Sequence, residues 1–178
     1  DILDALMAWL LLLALAALAA AVAMAARRGL ATLQDSRARA WSALESQLVK
    51  RQELMIQIVG LCSRLMKTER DALERVSIAG SAVLAAARQG NLPALAAAEK
   101  SHRAACEALF RHAAGYPQFG TSGAFRALRE RAATLDARVD EKREAYNDAV
   151  SVLNFRCQAF PYSVVARTMG LEPAGFLS

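Results

Sequence analysis

Residues Ala5 to Ala26 read ALMAWLLLLALAALAAAVAMAA, a run of 22 residues with no charged residue, proline or glycine. As an α-helix this run is about 33 Å long at ~1.5 Å per residue, which matches the roughly 30 Å hydrocarbon core of a bilayer. A secretory signal peptide is disfavoured because Asp1 and Asp4, rather than basic residues, precede the run. A buried core helix rarely extends this far without a charge. The run therefore predicts a single-pass transmembrane anchor over residues 1–28, with the lipid bilayer as its partner.

The two ends of the anchor predict its orientation. Arg27 and Arg28 follow the apolar run, whereas only acidic residues precede it. Because basic flanks stay on the cytoplasmic side, we expect the rest of the chain to lie in the cytoplasm. Ala17, Ala21 and Ala25 share one helix face at a spacing that lets two helices approach closely in lipid. Self-association through this face is one expectation, and a generally alanine-rich sequence is the alternative.

About 150 residues follow the anchor, enough for one domain with a buried core. Alanine, leucine, arginine and glutamate dominate them, and the period-2 alternation of β-strands is absent. This profile predicts an all-α fold. The net charge of the chain is +5, but basic and acidic residues are interspersed and no aromatic residues are interleaved for base stacking. We therefore expect no nucleic-acid partner.

The first helix is expected to continue past the membrane, from residue 3 to residue 67, as one rod of roughly 95 Å. Gly29 is the one candidate hinge just after the anchor. Beyond it, apolar residues recur at helical spacing: Trp41, Leu44, Leu48, Met55, Ile58, Cys62 and Leu65. Arg51 is the one charged residue of this stripe. It either extends to solvent, the usual arrangement for a long cationic side chain, or pairs with Glu99 or with an acid of the last long helix.

Residues 29–160 are predicted to form an antiparallel bundle of about four long helices, because short loops join the helical segments. The second helix spans about residues 68–89 and stops at Gly90, and the third runs from an Asn91 cap to Ala114. The fourth starts near Thr121 or Ser122 and reaches residue 159. The second helix has an apolar stripe of Leu73, Val76, Gly80, Val83 and Ala87. The stripe of the fourth is Phe125, Leu128, Ala132, Leu135, Val139, Tyr146, Val150, Leu153, Cys157 and Phe160.

Two segments of the chain are predicted to lie outside the long helices. Residues 115–123 form the longest loop. Residues 161–178 form a short apolar tail that either packs on the end of the bundle or docks a partner. The apolar residues of this tail are Val164, Val165, Met169, Leu171 and Phe176.

The sequence contains little that could carry chemistry. Glu99 and His102 form one Glu-x-x-His, half of a di-iron bundle motif, but Leu109 stands where a second motif would need a glutamate before His112. We expect Glu99 and His102 to be a polar pair at the bundle edge, without a metal. The three cysteines are far apart and form no Cys-x-x-Cys pair, which argues against a disulfide framework and against a zinc site. We expect them to be small, reduced residues of the core. With no phosphate loop and no activated nucleophile, we expect neither catalysis nor a cofactor.

Several short motifs resemble those of a known family. They are Trp41 to Leu48 (WSALESQL), Lys50 to Leu54 (KRQEL), Ile58-Val59, Tyr116-Pro117, Tyr146 to Val150 (YNDAV), Leu153-Asn154 and Phe160-Pro161. The YNDAV run with the following asparagine and Phe-Pro is the most specific part. With the N-terminal apolar helix, these motifs make nearly the whole chain similar to the LemA family.

The resemblance implies a bacterial membrane protein with a long-helix bundle outside the bilayer, and hence an inner-membrane location. The family includes a magnetosome protein, and its genes often neighbour those of membrane metalloproteases, which makes a membrane protease a candidate partner. Two positions depart from the family pattern. Ile56 and Gln57 replace a Pro-Asn pair, so no proline kinks the helix there, and Leu153 replaces the tyrosine before Asn154.

The function expected on these grounds is a non-enzymatic, membrane-anchored scaffold that forms a homo-oligomer or docks other membrane proteins. The alternative is a sensory or signalling bundle that responds to a ligand or to the membrane, which predicts polar residues inside the bundle. Asn147 and Asn154 are seven residues apart, hence on one helix face, and are expected to bond backbone groups or a partner. The candidate interaction or structural residues are Trp41, Arg51, Tyr146, Asn147, Asn154, Phe160 and Pro161, with Arg27 and Arg28 flanking the anchor.

Overall fold

The computed structural model describes the backbone of residues 2–177 and the side chains of residues 6–177. Asp1 and the side chain of Asp4, on which the orientation argument rests, lie outside this described part. Residues 2–177 form six α-helices and no β-strand, which confirms the predicted all-α fold. The helices are α1 (Ile2–Leu65), α2 (Arg70–Arg88), α3 (Leu92–Ala114), α4 (Pro117–Thr121), α5 (Gly123–Gln158) and α6 (Tyr162–Thr168).

Helix α1 is a single uninterrupted helix of 64 residues. It contains the one helix segment, among the described residues, that is long and apolar enough to cross a membrane, with a mean hydropathy of 2.6 and none of that window buried. Gly29 is not a hinge, because the helix continues through it. Its lack of a side chain serves packing instead, since a Cβ at residue 29 would lie 3.2 Å from the ring of Tyr162.

The contacts divide the chain into two compact units. Unit 1 comprises residues 1–39 and 148–174, and unit 2 comprises residues 40–147 and 175–178. The core of unit 1 is small and joins three helices through Leu30 of α1, Leu153 of α5 and Ala166 of α6. The partly buried residues packed against it are Leu33, Cys157, Tyr162, Val165, Met169 and Leu171. Much of the apolar tail is therefore folded as α6 and packed within its own unit.

Unit 2 has a larger apolar core to which five helices contribute. The buried residues of this core are Leu54, Met55, Ile58, Cys62, Met66, Leu73, Val76, Leu109, Ala113, Phe119, Phe125 and Ala132. The predicted stripe of α1 is confirmed from Leu44 to Cys62, but Leu65 is 43% exposed and Met66 is fully buried instead. The physical reason is helical spacing, because a step of four residues from Cys62 returns to the buried face.

Helices α2 and α3 of unit 2 form a hairpin whose turn was predicted correctly. Gly90 has a φ of +62°, a left-handed conformation that favours glycine. The side chain of Asn91 then caps α3 by accepting a hydrogen bond of 3.1 Å from the amide of Ala94. The apolar stripe of α2, from Leu73 to Ala87, is buried as predicted.

The segment before α5 is more ordered than the predicted loop over residues 115–123. Pro117 begins the short helix α4, where its missing N–H is harmless, and Phe119 is 4% exposed in the unit 2 core. Ser122 accepts a hydrogen bond of 3.2 Å from the amide of Phe125 and so caps α5. At the other end of α5 the prediction for Phe160 is wrong, because the helix ends at Gln158 and Phe160 is 83% exposed.

Candidate functional site

A buried arginine connects three helices inside unit 2. Arg51 of α1 is only 4% exposed, so the expectation that it extends to solvent is wrong and the alternative of a buried pair is confirmed. Its two terminal nitrogens bond both carboxylate oxygens of Glu99 on α3, one at 3.0 Å. One of them also lies 3.4 Å from the carboxylate of Asp136 on α5. Each of the three helices therefore supplies one charged group to this cluster.

The electrostatics of this cluster keep the arginine charged. Burial alone lowers the pKa of Arg51, but the hydrogen bond and the negative charge of Glu99 outweigh it, so that the pKa is raised above its usual value. The Glu99 side chain is 17% exposed and that of Asp136 is 54% exposed. The strong bond is thus the buried, bidentate one to Glu99, and Asp136 adds a weaker contact near solvent.

Two titratable residues of α3 lie beside the charged cluster. His102 is 3% exposed, so it does not lie at the bundle edge as predicted, and Glu99 bonds Arg51 instead. The Sγ of Cys106 lies 3.6 Å from His102 Nε2. Burial, followed by the charge of Arg51, lowers the pKa of His102 to about 4. Burial is also the main cause that raises the pKa of Cys106 to about 12.

A cavity of about 230 Å³ opens between these groups. Its polar lining includes Arg51, His102, Cys106 and Asp136, and its apolar lining includes Phe110. A thiol with so high a pKa is the opposite of an activated nucleophile, and a neutral, buried histidine is suited to packing and hydrogen bonding. The described residues contain no group of three or more His, Cys, Asp or Glu side chains that could hold a metal ion. The cavity thus offers polar groups of both charges beside an apolar wall.

An aromatic pair of unit 2 joins two residues that the sequence analysis had selected. The rings of Trp41 on α1 and Tyr146 on α5 meet edge to face, with 5.2 Å between their centroids. Tyr146 is 5% exposed, and its hydroxyl donates a hydrogen bond of 3.3 Å to the carbonyl oxygen of Gly175. The pair therefore places a phenol against the C-terminal residues of the chain.

Asn147, the residue after this tyrosine, binds the same C-terminal stretch through its side-chain amide. Its Nδ2 donates to the carbonyl oxygen of Leu177 at 2.8 Å, and its Oδ1 accepts from the amide of Leu177, also at 2.8 Å. Leu177 is 5% exposed. Of the two roles predicted for this asparagine, the structure shows the bond to backbone groups.

Asn154 makes the same type of contact within unit 1. Its Nδ2 donates to the carbonyl oxygen of Ala174 at 2.9 Å, and its Oδ1 accepts from the amide of Ala174 at 2.9 Å. Here too the asparagine bonds backbone groups, and both polar ends of its side chain are satisfied.

The remaining predicted residues take no part in these clusters. Phe160 is exposed, and the peptide bond between Phe160 and Pro161 is cis. Pro161 directly precedes α6 as its N-cap residue. Arg27 and Arg28 are exposed on α1 at the end of the apolar segment.

Sequence reasoning missed three residues of the C-terminal contact. Gly175 and Leu177 are the segment's contact residues, whereas Phe176, which the sequence analysis selected, is 56% exposed. Leu92 was missed because it lies within the first turn of α3, and only the fold brings it close to Gly175.

The chain matches the model of a known protein family. The sequence model of the LemA family matches residues 40–178, most of the chain, and confirms the resemblance seen in the short motifs. The matched range begins immediately before Trp41 and includes the Arg51 cluster and the contacts of Asn147 and Asn154. No similarity to a curated protein was found.

Proposed function

The chain belongs to the LemA family, and on that premise we propose that it is a non-enzymatic, membrane-anchored scaffold that self-associates or docks other membrane proteins. The observation that carries the proposal is the continuity of α1. One helix contains an apolar segment with no buried residue in its most hydrophobic window and, further along, side chains of the unit 2 core such as Ile58 and Cys62. The helix is unbroken between these two segments, because α1 runs from residue 2 to residue 65.

The proposed location is the inner membrane of a bacterium, with residues 29–178 on the cytoplasmic side. The large apolar side chains between residues 6 and 24 are 43–68% exposed, which suits contact with lipid tails. Arg27 and Arg28 end this segment and are exposed, where the positive-inside rule places them in the cytoplasm. The three cysteines are free, in agreement with a reducing compartment.

Self-association is proposed to occur through the anchor helix. Ala17, Ala21 and Ala25 lie on one face of α1 and are exposed. Small residues at this spacing allow the backbones of two helices to approach closely, which is the main source of helix pairing in lipid. Other membrane proteins, such as a membrane protease, are candidate partners for the same face.

The experiment is the absolute mass of the protein in mild detergent. We expect the full chain to form a discrete oligomer, and residues 29–178 alone to be monomeric. The triple variant A17L/A21L/A25L should dissociate the oligomer, because leucines prevent close approach. The matched control A19L/A23L alters alanines of the opposite face and should leave the mass unchanged. A full chain that is strictly monomeric and retains no membrane-protein partner would overturn the proposal.

A sensory bundle is the second candidate, and the cavity beside Arg51 favours it. This function requires polar groups inside the bundle, and the cavity of about 230 Å³ is lined by Arg51, His102 and Asp136. Amide hydrogen exchange of the protein in vesicles of neutral and of anionic lipid tests it. A sensor should show changed protection at residues 99–106 and 132–136 between the two lipids, and equal protection would count against it.

A further inference from the structure

The last residues of the chain return to unit 2 as a separate piece. Unit 2 comprises residues 40–147, and only residues 175–178 of the remaining chain belong to it. Residues 171–177 have no regular secondary structure. We call Gly175 to Leu177 the terminal segment. It contacts unit 2 as a short peptide would contact a receptor.

Side chains of unit 2 bind mainly the backbone of the terminal segment. Asn147 bonds both the amide and the carbonyl oxygen of Leu177 at 2.8 Å. Tyr146 donates to the carbonyl oxygen of Gly175, two residues earlier. Pairing of backbone groups on alternate residues is how extended peptides are held in many recognition sites. These bonds select an extended conformation more than a particular sequence.

The side chains of the terminal segment add specificity. Leu177 is 5% exposed, whereas its neighbour Phe176 is 56% exposed. A Cβ on Gly175 would lie 2.9 Å from Cδ1 of Leu92, the end of a flexible side chain that can move aside, so this position favours a small residue without requiring glycine. The accepted pattern is therefore a small residue, any residue and leucine, in which the middle residue faces away from unit 2.

The residues that contact the terminal segment all belong to residues 40–147 of unit 2. The terminal segment itself therefore supplies no residue of the site. Trp41 packs on Tyr146 and holds the phenol ring in place. No disulfide ties the segment to the receptor, since the cysteines are free. Three hydrogen bonds and the buried side chain of Leu177 hold the segment in place. An identical segment of another chain can make the same contacts.

We propose that unit 2 carries a binding site for extended peptides in which a small residue is followed, two positions later, by leucine, and that the terminal segment of a second copy of this chain fills it in exchange for the chain's own segment. The second-copy part rests on the proposed self-association, because chains held in one membrane reach the high local concentration that exchange requires. The exchange would link copies through unit 2 in addition to any contact between anchors.

The test is a titration of a peptide of residues 172–178 onto the full-length chain shortened after Leu171, in mild detergent, followed by fluorescence anisotropy of the labelled peptide. We expect saturable binding to the shortened chain and at least tenfold weaker binding to the complete chain, whose own segment competes. The peptide variant L177A should bind at least tenfold more weakly because it loses the buried side chain. The matched variant F176A, which alters an exposed neighbour, should bind within about twofold of the original.

The substitution Asn147→Leu in the shortened chain distinguishes peptide binding at this site from peptide binding elsewhere on the chain. It should weaken the binding of the peptide at least tenfold. The proposal is overturned if the shortened, helical chain binds no peptide at millimolar concentration, or if F176A and L177A weaken binding equally. Should the shortened chain lose its helix content, amide exchange at Leu177 in the complete chain decides the matter. Protection that falls at least tenfold in Asn147→Leu supports the site, and unprotected exchange in the original chain overturns it. Because the anchor is intact throughout, these outcomes are independent of the mass measurement.

Discussion

Two parts of the same helix, residues 6–24 and residues 44–62 of α1, are both rich in apolar residues but have opposite exposures. In the first part the large apolar side chains point in every direction and are 43–68% exposed. In the second part the apolar side chains that are at most 2% exposed recur at steps of three, four and seven residues: Leu44, Leu48, Met55, Ile58 and Cys62. The comparison teaches that the arrangement of apolar residues around the helix, more than their number, separates a lipid-facing segment from a protein-facing one.

The two parts also differ in whether they contain a charged residue. The first part has no ionisable residue, whereas the second contains Arg51 at 4% exposure. A buried charge is tolerated there because the facing helices supply Glu99 and Asp136. An unpaired charge in the first part would have only lipid around it, at a cost of about 3 kcal/mol at the centre of a bilayer.

The largest expected effect comes from breaking the charge pair in the second part. Arg51→Leu should lower the free energy of unfolding of unit 2 by about 3–5 kcal/mol, because Glu99 is left buried without its partner. The measurement is urea unfolding in mild detergent, followed by circular dichroism. The matched control is Arg64→Leu, at an exposed arginine of the same helix, which should change stability by less than about 0.5 kcal/mol.

A double variant, Arg51→Leu with Glu99→Leu, sharpens this result. It should recover much of the lost stability, because no charge then remains buried without a partner. Equal effects of Arg51→Leu and Arg64→Leu would show that the pair does not stabilise unit 2.

The next largest effect distinguishes buried from exposed isoleucines of α1. Ile58 is fully buried, whereas Ile56, two residues earlier, is 60% exposed. Ile58→Ala should cost about 2–5 kcal/mol because it leaves a cavity in the unit 2 core. Ile56→Ala should cost less than about 0.5 kcal/mol. Similar losses for both would contradict the assignment of one apolar face to this part of α1.

The pH dependence of stability is expected to give a smaller effect. Burial, and then the charge of Arg51, lower the pKa of His102 from 6.5 to about 4 in the folded chain. The unfolded chain therefore binds a proton more readily, and the stability contributed by neutral His102 is complete above pH 6.5 and is lost as the pH falls towards 4. Between pH 7 and pH 5 this loss should be about 2 kcal/mol.

The measurement is urea unfolding at several pH values for the original chain and for His102→Gln. The variant should show a flatter curve between pH 7 and pH 5. His112→Gln is the control, because His112 is about half exposed and lies 3.4 Å from Glu69. If the original chain and His102→Gln have parallel curves, His102 is not held neutral by its surroundings.

The sequence was sufficient to predict what depends on local periodicity. The stripes of α1 and α2, the turn at Gly90 and the cap at Asn91 all follow from spacing and from residue type within a few positions. The end of α1 was placed less well, because Leu65 and Met66 are both apolar and only the fold decides which one faces the core. The pairing of Arg51 with Glu99 depends on residues 48 positions apart, and the contact of Asn147 with Leu177 on residues 30 positions apart. Distances of this kind along the chain carry no local signal, so the sequence could offer the Arg51–Glu99 pair only as one of two alternatives, and the contact of the terminal segment became apparent only in the structure.

The central claim, that residues 1–28 anchor this protein in a membrane while the rest of the chain does not require lipid, is tested most directly by flotation. The full chain and residues 29–178 would each be mixed with vesicles of bacterial lipid composition and centrifuged through a density gradient, with circular dichroism to verify that both are helical. We predict that the full chain floats with the vesicles and that residues 29–178 remain at the bottom. A full chain that stays at the bottom, or a shortened chain that floats equally well, would contradict the account.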